Sequence, residues 1–169
     1  MKKQNRWKRL LAGLLAGLSL LPAVPQMAQA KEYWPDGVSA ASPSAIVMEV
    51  NTGTILYEKK IHKQFYPASI TKIMTTLLAI ENCDMDEIVT FSADAVYNNE
   101  GDTSHIARDL DEQLTVEQCL YGIMLESANE CAYAIAEHVG QKLGGDYQTF
   151  IDLMNSRAKE LGCQDTHFN

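Results

Sequence analysis

The chain has 169 residues, 46% of them hydrophobic, with four cysteines and a formal net charge of −8. That acidity argues against nucleic acid as a partner, because phosphates are held by basic patches. The length supports one modest core, one domain or part of one.

Residues 1–30 do not read as fold. Lys2, Lys3, Arg6, Lys8 and Arg9 make a basic start, LLAGLLAGLSLLPAV follows, and Ala28-Gln29-Ala30 closes the segment. A positive n-region, an apolar run of about fifteen residues and an A-x-A site predict a secretory signal peptide. The run falls short of the roughly 20 residues that cross a bilayer. Without it the chain keeps nine basic and 22 acidic side chains, a net charge of 9 − 22 = −13. Cys83, Cys119, Cys131 and Cys163 would travel to an oxidising compartment, where four cysteines allow three pairings. A domain of this size does not depend on disulfides, and Cys119 and Cys131 fall among apolar helix positions, so free or structurally minor thiols are expected. No CxxC is present, and zinc is not predicted.

Residues 31–43, KEYWPDGVSAASP, are turn-rich and read as a linker, with one domain over 44–169. Ile46, Val47, Met48 and Val50, then Thr54, Ile55, Leu56 and Tyr57, predict two strands around Asn51-Thr52-Gly53, a hairpin signal. A helix is predicted from Ser69 to about Asn82, with Ile70, Ile73, Met74, Leu77 and Leu78 on its buried face. An extended piece is expected around Ile88 to Phe91, and a polar loop over 98–113. Thr115 reads as the N-cap of a helix that carries Val116, Cys119, Leu120, Ile123 and Met124 on one face and stops near Glu126-Ser127. A further helix over about 129–139 is expected to end at Gly140 as a C-cap. Gly144-Gly145 breaks the chain, and Asp146 opens a last helix with Phe150, Ile151, Leu153 and Met154, closing at Gly162.

Two short stretches carry chemistry. Ser69-Ile70-Thr71-Lys72 places a hydroxyl and an amine three residues apart on one helical turn, so their side chains are neighbours. A serine hydroxyl is a weak nucleophile and needs a base within hydrogen-bond reach. Lysine is protonated at its ordinary pKa of about 10.4, but burial disfavours the charged form and frees the amine to act as that base. The helix N-terminus adds N–H groups and a positive dipole end for a developing oxyanion. Alone, S-x-x-K is a common accident of helices, where a serine caps and a lysine is solvated. The second stretch, Ser127-Ala128-Asn129, lies at a break between two helices that can turn a hydroxyl and an amide into a cleft.

Together, PASITKIMT and LESANECAYAIAEHVG some 55 residues later resemble the serine D-alanyl-D-alanine carboxypeptidases. These are low-molecular-mass penicillin-binding proteins of peptidase family S11, related to the class A β-lactamases that share S-x-x-K, S-x-N and K-T-G elements. VNTGTILYEKK, GDTSHIARDLDEQLTVEQCLYGIMLESAN and FIDLMNSRAKELGCQDTHFN extend the resemblance over about residues 44–169. It implies an α+β, β-lactamase/transpeptidase-like fold, represented here by an N-terminal β-hairpin and the helical subdomain. It implies Ser69 as the nucleophile that forms an acyl-enzyme with a peptidoglycan stem peptide ending in D-Ala-D-Ala. Lys72 would be its general base, Ser127 a proton relay to the leaving D-alanine, and Asn129 a hydrogen-bonding partner of the substrate backbone that also helps place Lys72. β-Lactams would acylate Ser69 as inhibitors. No metal or organic cofactor is implied. The expected location is outside the cytoplasm, in a bacterial cell envelope, with membrane association only through export or an anchor beyond residue 169.

The family's S-x-N-D reads S-x-N-E here, with Glu130, a mild change outside the catalytic pair. No K-T-G occurs, and in the family that element lies on a later strand. The chain is therefore expected to be an N-terminal fragment of an enzyme, inactive or poorly folded by itself, since one lost oxyanion donor costs about 10²–10³ in rate. A β-lactamase and a non-catalytic cell-wall module are the alternatives. His62, His105, His138 and His167 have no HExxH or paired spacing and read as surface or capping residues. Asp84-Met85-Asp86-Glu87 reads as a solvated turn rather than a calcium loop. Tyr33-Trp34 is expected to pack, and Gly101-Asp102 to turn.

Overall fold

The computed structural model describes residues 37, 39–98 and 103–169. The expected signal peptide, the Tyr33-Trp34 contact, the Gly101-Asp102 turn and most of the linker lie outside the described residues. The chain divides into two compact units at Lys59 and Lys60.

The first unit holds the hairpin. Strands β1 (Ala45–Met48) and β2 (Ile55–Lys59) pair antiparallel, with Val47 opposite Tyr57 and a bulge between Val47 and Met48. The turn is organised by a side chain. The Glu49 carboxylate accepts from the backbone N–H of Asn51 at 3.0 Å and of Thr52 at 2.7 Å, and from the Thr52 hydroxyl at 2.6 Å. These donors hold the Glu49 carboxyl near a pKa of about 2. Val50 and Thr54, predicted as strand, fall outside both strands: Val50 is in the turn, and the Thr54 carbonyl closes it by accepting from the Glu49 N–H at 2.9 Å. Lys59 donates back to the carbonyls of Ala40 and Ser42 at 2.7 and 2.8 Å, tying the preceding segment to β2.

The second unit is helical, with one small sheet. A 3₁₀ turn (Ala68–Ile70) leads into α1 (Thr71–Asn82). Strand β3 (Ile88–Thr90), the short helix α2 (Ala93–Tyr97), strand β4 (Gln113–Thr115), α3 (Val116–Glu126), α4 (Asn129–Lys142) and α5 (Tyr147–Glu160) follow. β3 and β4 pair antiparallel, Val89 opposite Leu114. The core forms around α4, which packs on α1, α2, α3, α5 and β3. Its Cys131, Ile135 and Val139 are fully buried, against Leu78, Val89, Phe91, Val116, Ile123 and Phe150.

Several elements follow their sequence signals closely. Thr115 caps α3 through a reciprocal box with Gln118, and Asp146 does the same for α5 with Thr149. Gly162 follows α5 at φ +86°, a conformation in which glycine carries no steric cost. Others differ. The buried face of α1 is Thr75, Leu78 and Ala79, while Ile70 and Ile73 are exposed; the helix is rotated toward α3 and α4. On α3, Met124 is exposed and Gly122 takes a buried place beside Cys131. Gly140 does not end α4, which runs on to Lys142. Its role is close approach: a Cβ there would sit 2.0 Å from the Asp146 carbonyl oxygen, where the chain returns into α5. Strand β4 falls at the edge of the expected 98–113 loop, and α2 carried no apolar period to announce it.

Candidate active site

Pro67 is followed by Ala68 at φ +51°, and the 3₁₀ turn then delivers Ser69 just ahead of α1. The N-cap of α1 is Ile70, and no side chain caps it, so the Ser69 hydroxyl is not consumed by capping. Lys72 lies on the first turn of α1, and its Nζ is 3.3 Å from Ser69 Oγ. The S-x-x-K spacing thus produces the contact that helical geometry predicts.

The second stretch meets it across the fold. α3 ends with Ser127 as its C-cap at φ 56°, ψ 34°, a left-handed conformation for a residue that carries a Cβ. Ala128 is fully buried in extended conformation and Asn129 begins α4. This corner turns three polar groups onto one amine. Lys72 Nζ is 3.0 Å from Ser127 Oγ, 2.7 Å from the Ser127 carbonyl oxygen and 2.5 Å from Asn129 Oδ1. Ser127 Oγ donates to Ser69 Oγ at 2.8 Å. Ser69, Lys72, Ser127 and Asn129 therefore form one connected cluster, as the two motifs predicted, although 55 to 58 residues separate their halves.

Burial lowers the pKa of Lys72 below that of a solvated lysine, against a smaller opposing pull from the Glu130 carboxylate. Such an amine can accept a proton from the neighbouring hydroxyl, and a second hydroxyl in contact with both can pass it on. Ser69, Lys72 and Asn129 line a cleft of about 490 Å³. Its opposite wall is aromatic and apolar: Tyr133 and Tyr147 stack with ring centroids 4.4 Å apart, beside Phe150 and Met154.

Glu130 is the residue whose part the sequence did not disclose. It is 2% exposed, and its Oε1 accepts from the Ile106 backbone N–H at 2.6 Å. Its Oε2 is buried with no hydrogen-bond partner among the described residues. The next bond along fixes the same loop: Asn129 N–H donates to the Ser104 carbonyl at 2.9 Å. Glu130 thus ties the loop before β4 to the corner that carries Ser127 and Asn129, which is more than the mild peripheral change expected. An acid in the first turn, directly ahead of the mostly apolar run from Cys131 to Ala136, was the available signal.

The His and acidic residues set aside earlier are not uniformly solvated. His138 Nε2 is 3.0 Å from Glu87 Oε2, and the Lys142 ammonium bonds the other oxygen of Glu87. Lys142 and the Asp84 N–H hold Glu87 well below the usual carboxylate range, at about 2. All four cysteines are free, with Cys83, Cys119 and Cys131 buried and Cys163 exposed.

Comparison with known proteins agrees with this geometry. The sequence profile of peptidase family S11, described as D-alanyl-D-alanine carboxypeptidase, matches residues 28–169. The chain is 37% identical to D-alanyl-D-alanine carboxypeptidase DacF of Bacillus subtilis, over 95% of this chain and 41% of that protein. It is 34% identical to D-alanyl-D-alanine carboxypeptidase of Streptomyces sp. strain K15, over 93% of this chain and 54% of that protein. The chain therefore spans about half the length, or less, of these curated relatives. Among solved structures, the S216A mutant of Streptomyces K15 DD-transpeptidase superposes with a TM-score of 0.70 at 32% identity, covering 79% of this chain and 53% of the other. DacD from Francisella tularensis superposes with a TM-score of 0.68 at 31% identity, covering 80% of this chain and 32% of the other. The architecture is the α+β fold of these proteins, and the chain belongs to peptidase family S11, the D-alanyl-D-alanine carboxypeptidases.

Proposed function

We propose that these residues serve a serine hydrolase that removes the terminal D-alanine from peptidoglycan stem peptides outside the cytoplasm. The observation that carries this reading is the convergence of Ser69, Ser127 and Asn129 on the Lys72 amine, at the edge of an open cleft. Neutral Lys72 takes the proton of Ser69 as Oγ attacks the carbonyl between the two D-alanines. Ser127, in contact with both groups, delivers that proton to the departing amine. Asn129 fixes Lys72 and offers its amide to the peptide backbone. The acyl group left on Ser69 is then released by water. β-Lactams, whose amide mimics the scissile bond, acylate the same hydroxyl and block it, and wall remodelling is the process served. Recognition of the substrate's terminal carboxylate lies outside what these four side chains do. Among the described residues no helix is long and apolar enough to cross a membrane.

The test is release of D-alanine from a synthetic peptide ending in Lys-D-Ala-D-Ala, measured on the gene's full product. Repeated release of D-alanine, many per enzyme and lost in Ser69→Ala, with penicillin held as a long-lived acyl-enzyme, supports the carboxypeptidase. Rapid turnover of penicillin would instead identify a β-lactamase, and peptide binding without release, unchanged in Ser69→Ala, a non-catalytic module.

A further inference from the structure

Away from the cleft, three side chains of metal-ligating type meet at the far end of α1. Cys83 terminates that helix, Glu87 leads into β3, and His138 stands on α4. Cys83 Sγ, a Glu87 carboxylate oxygen and a ring nitrogen of His138 all lie within 4.8 Å of one another. His138 Nε2 and Glu87 Oε2 are already 3.0 Å apart. Cys83 is 9% exposed, and the side chains of His138 and Glu87 are 22% and 23% exposed, so the cluster is half-sheltered yet reachable. We propose that Cys83, Glu87 and His138 form a binding site for a borderline-soft divalent cation, zinc above all.

The donor set is the argument. Thiolate, imidazole and carboxylate together suit zinc, and hard calcium or magnesium would reject the sulfur. A tetrahedral zinc with bonds of about 2.0–2.3 Å puts neighbouring ligand atoms roughly 3.3–3.6 Å apart. The Glu87–His138 edge is near that spacing, and side-chain rotation by Cys83 closes the rest. The fourth position stays open to water. The frame is built before any ion arrives: Cys83 N–H bonds the Ala79 carbonyl at 2.9 Å, Asp84 N–H bonds Glu87 Oε1 at 2.7 Å, and Val116 N–H bonds the Glu87 carbonyl at 2.9 Å. Lys142 and the Asp84 N–H engage Glu87 Oε1, so the oxygen turned toward the metal is Oε2, whose present bond to His138 Nε2 the ion would replace. On binding, the Cys83 thiol releases its proton to solvent, the hydrogen shared by His138 Nε2 and Glu87 Oε2 moves to Nδ1 or to solvent so that Nε2 can bind, and thiolate, carboxylate and zinc sum to zero charge beside the retained Lys142 ammonium. Sequence spacing could not find the site, because His138 lies 51 residues from Glu87. A metal here would clamp the end of α1 to α4, the two helices whose other ends carry Lys72 and Asn129.

Cobalt(II), which reports coordination by colour, tests this on the full chain in a Cys163→Ser background that removes the exposed thiol. The site predicts saturable one-to-one binding, a thiolate-to-cobalt charge-transfer band, visible bands of tetrahedral intensity, and displacement by zinc. Zinc at a hundredfold excess over Kd should raise Tm by about 5–10 °C. Cys83→Ser should abolish the charge-transfer band, and His138→Gln should weaken binding at least about tenfold while keeping it. Should Cys83→Ser misfold by circular dichroism, His138→Gln decides. No saturable binding by the folded chain, a charge-transfer band that survives Cys83→Ser, or unchanged affinity in His138→Gln would overturn the proposal.

Discussion

Ser127 joins a chemical role to a backbone constraint, and two substitutions separate them. Its φ of 56° and ψ of 34° cost a residue with a Cβ about 1–2 kcal/mol, whereas glycine adopts them freely. Ser127→Ala and Ser127→Gly both delete the Oγ bonds to Ser69 at 2.8 Å and to Lys72 at 3.0 Å, each worth about 0.5–1.5 kcal/mol. Both keep the carbonyl that accepts from Lys72 at 2.7 Å. The difference between them is therefore backbone alone. Allowing roughly 0.5 kcal/mol for the larger unfolded-state entropy of glycine, Ser127→Gly should be more stable than Ser127→Ala by about 1 kcal/mol. For a domain of this size that is a Tm difference of about 2–4 °C by circular dichroism. Acylation by a fluorescent penicillin should fall by about 10²–10⁴ in both, because both lack the hydroxyl proposed to relay the proton. Equal melting temperatures would refute the strain at the corner, and wild-type acylation by either variant would refute the relay.

Lys72→Arg keeps a cation at the site but cannot give up its proton, so acylation should drop by about 10²–10⁴. The wild-type rate should climb with pH as Lys72 deprotonates below the ordinary lysine range, since its folded pKa is lowered by burial, and Lys72→Arg should lack that limb. The same sign applies to stability: the buried charge disfavours the fold below the folded pKa, and this is relieved as pH rises toward the unfolded value. Glu130→Ala leaves the half-buried Ile106 N–H without its partner, which should cost about 1 kcal/mol and speed hydrogen exchange at that amide. Gly140→Ala forces a Cβ against the Asp146 carbonyl at 2.0 Å and should lower Tm by about 6–12 °C, for an overpacking cost near 3 kcal/mol.

What the sequence made legible was local chemistry with a fixed geometry. Thr115 and Asp146 announced helix starts because a capping side chain reaches only its own next turn. Ser69 and Lys72 announced a contact because three residues make one turn. What stayed hidden depends on distant partners. The stripe Ile70, Ile73, Met74, Leu77 and Leu78 fitted a helix, and Leu78 is buried as predicted, but the pattern could not say how far the face is turned. Thr75 and Ala79 won the core because α3 and α4 lie on that side. Gly140 resembled a terminator until the return of Asp146 showed why no side chain fits there. Glu130 differed from the expected aspartate by one methylene, and only the fold reveals that it reaches the Ile106 amide.

The proposed chemistry begins with the Lys72 amine activating the Ser69 hydroxyl. The most direct measurement is mass spectrometry of the gene's full product after exposure to a labelled penicillin. The predicted result is one adduct, on the tryptic peptide that contains Ser69, absent in Ser69→Ala and strongly slowed in Lys72→Arg. A folded protein that carries no adduct, or carries it on another residue, would contradict it.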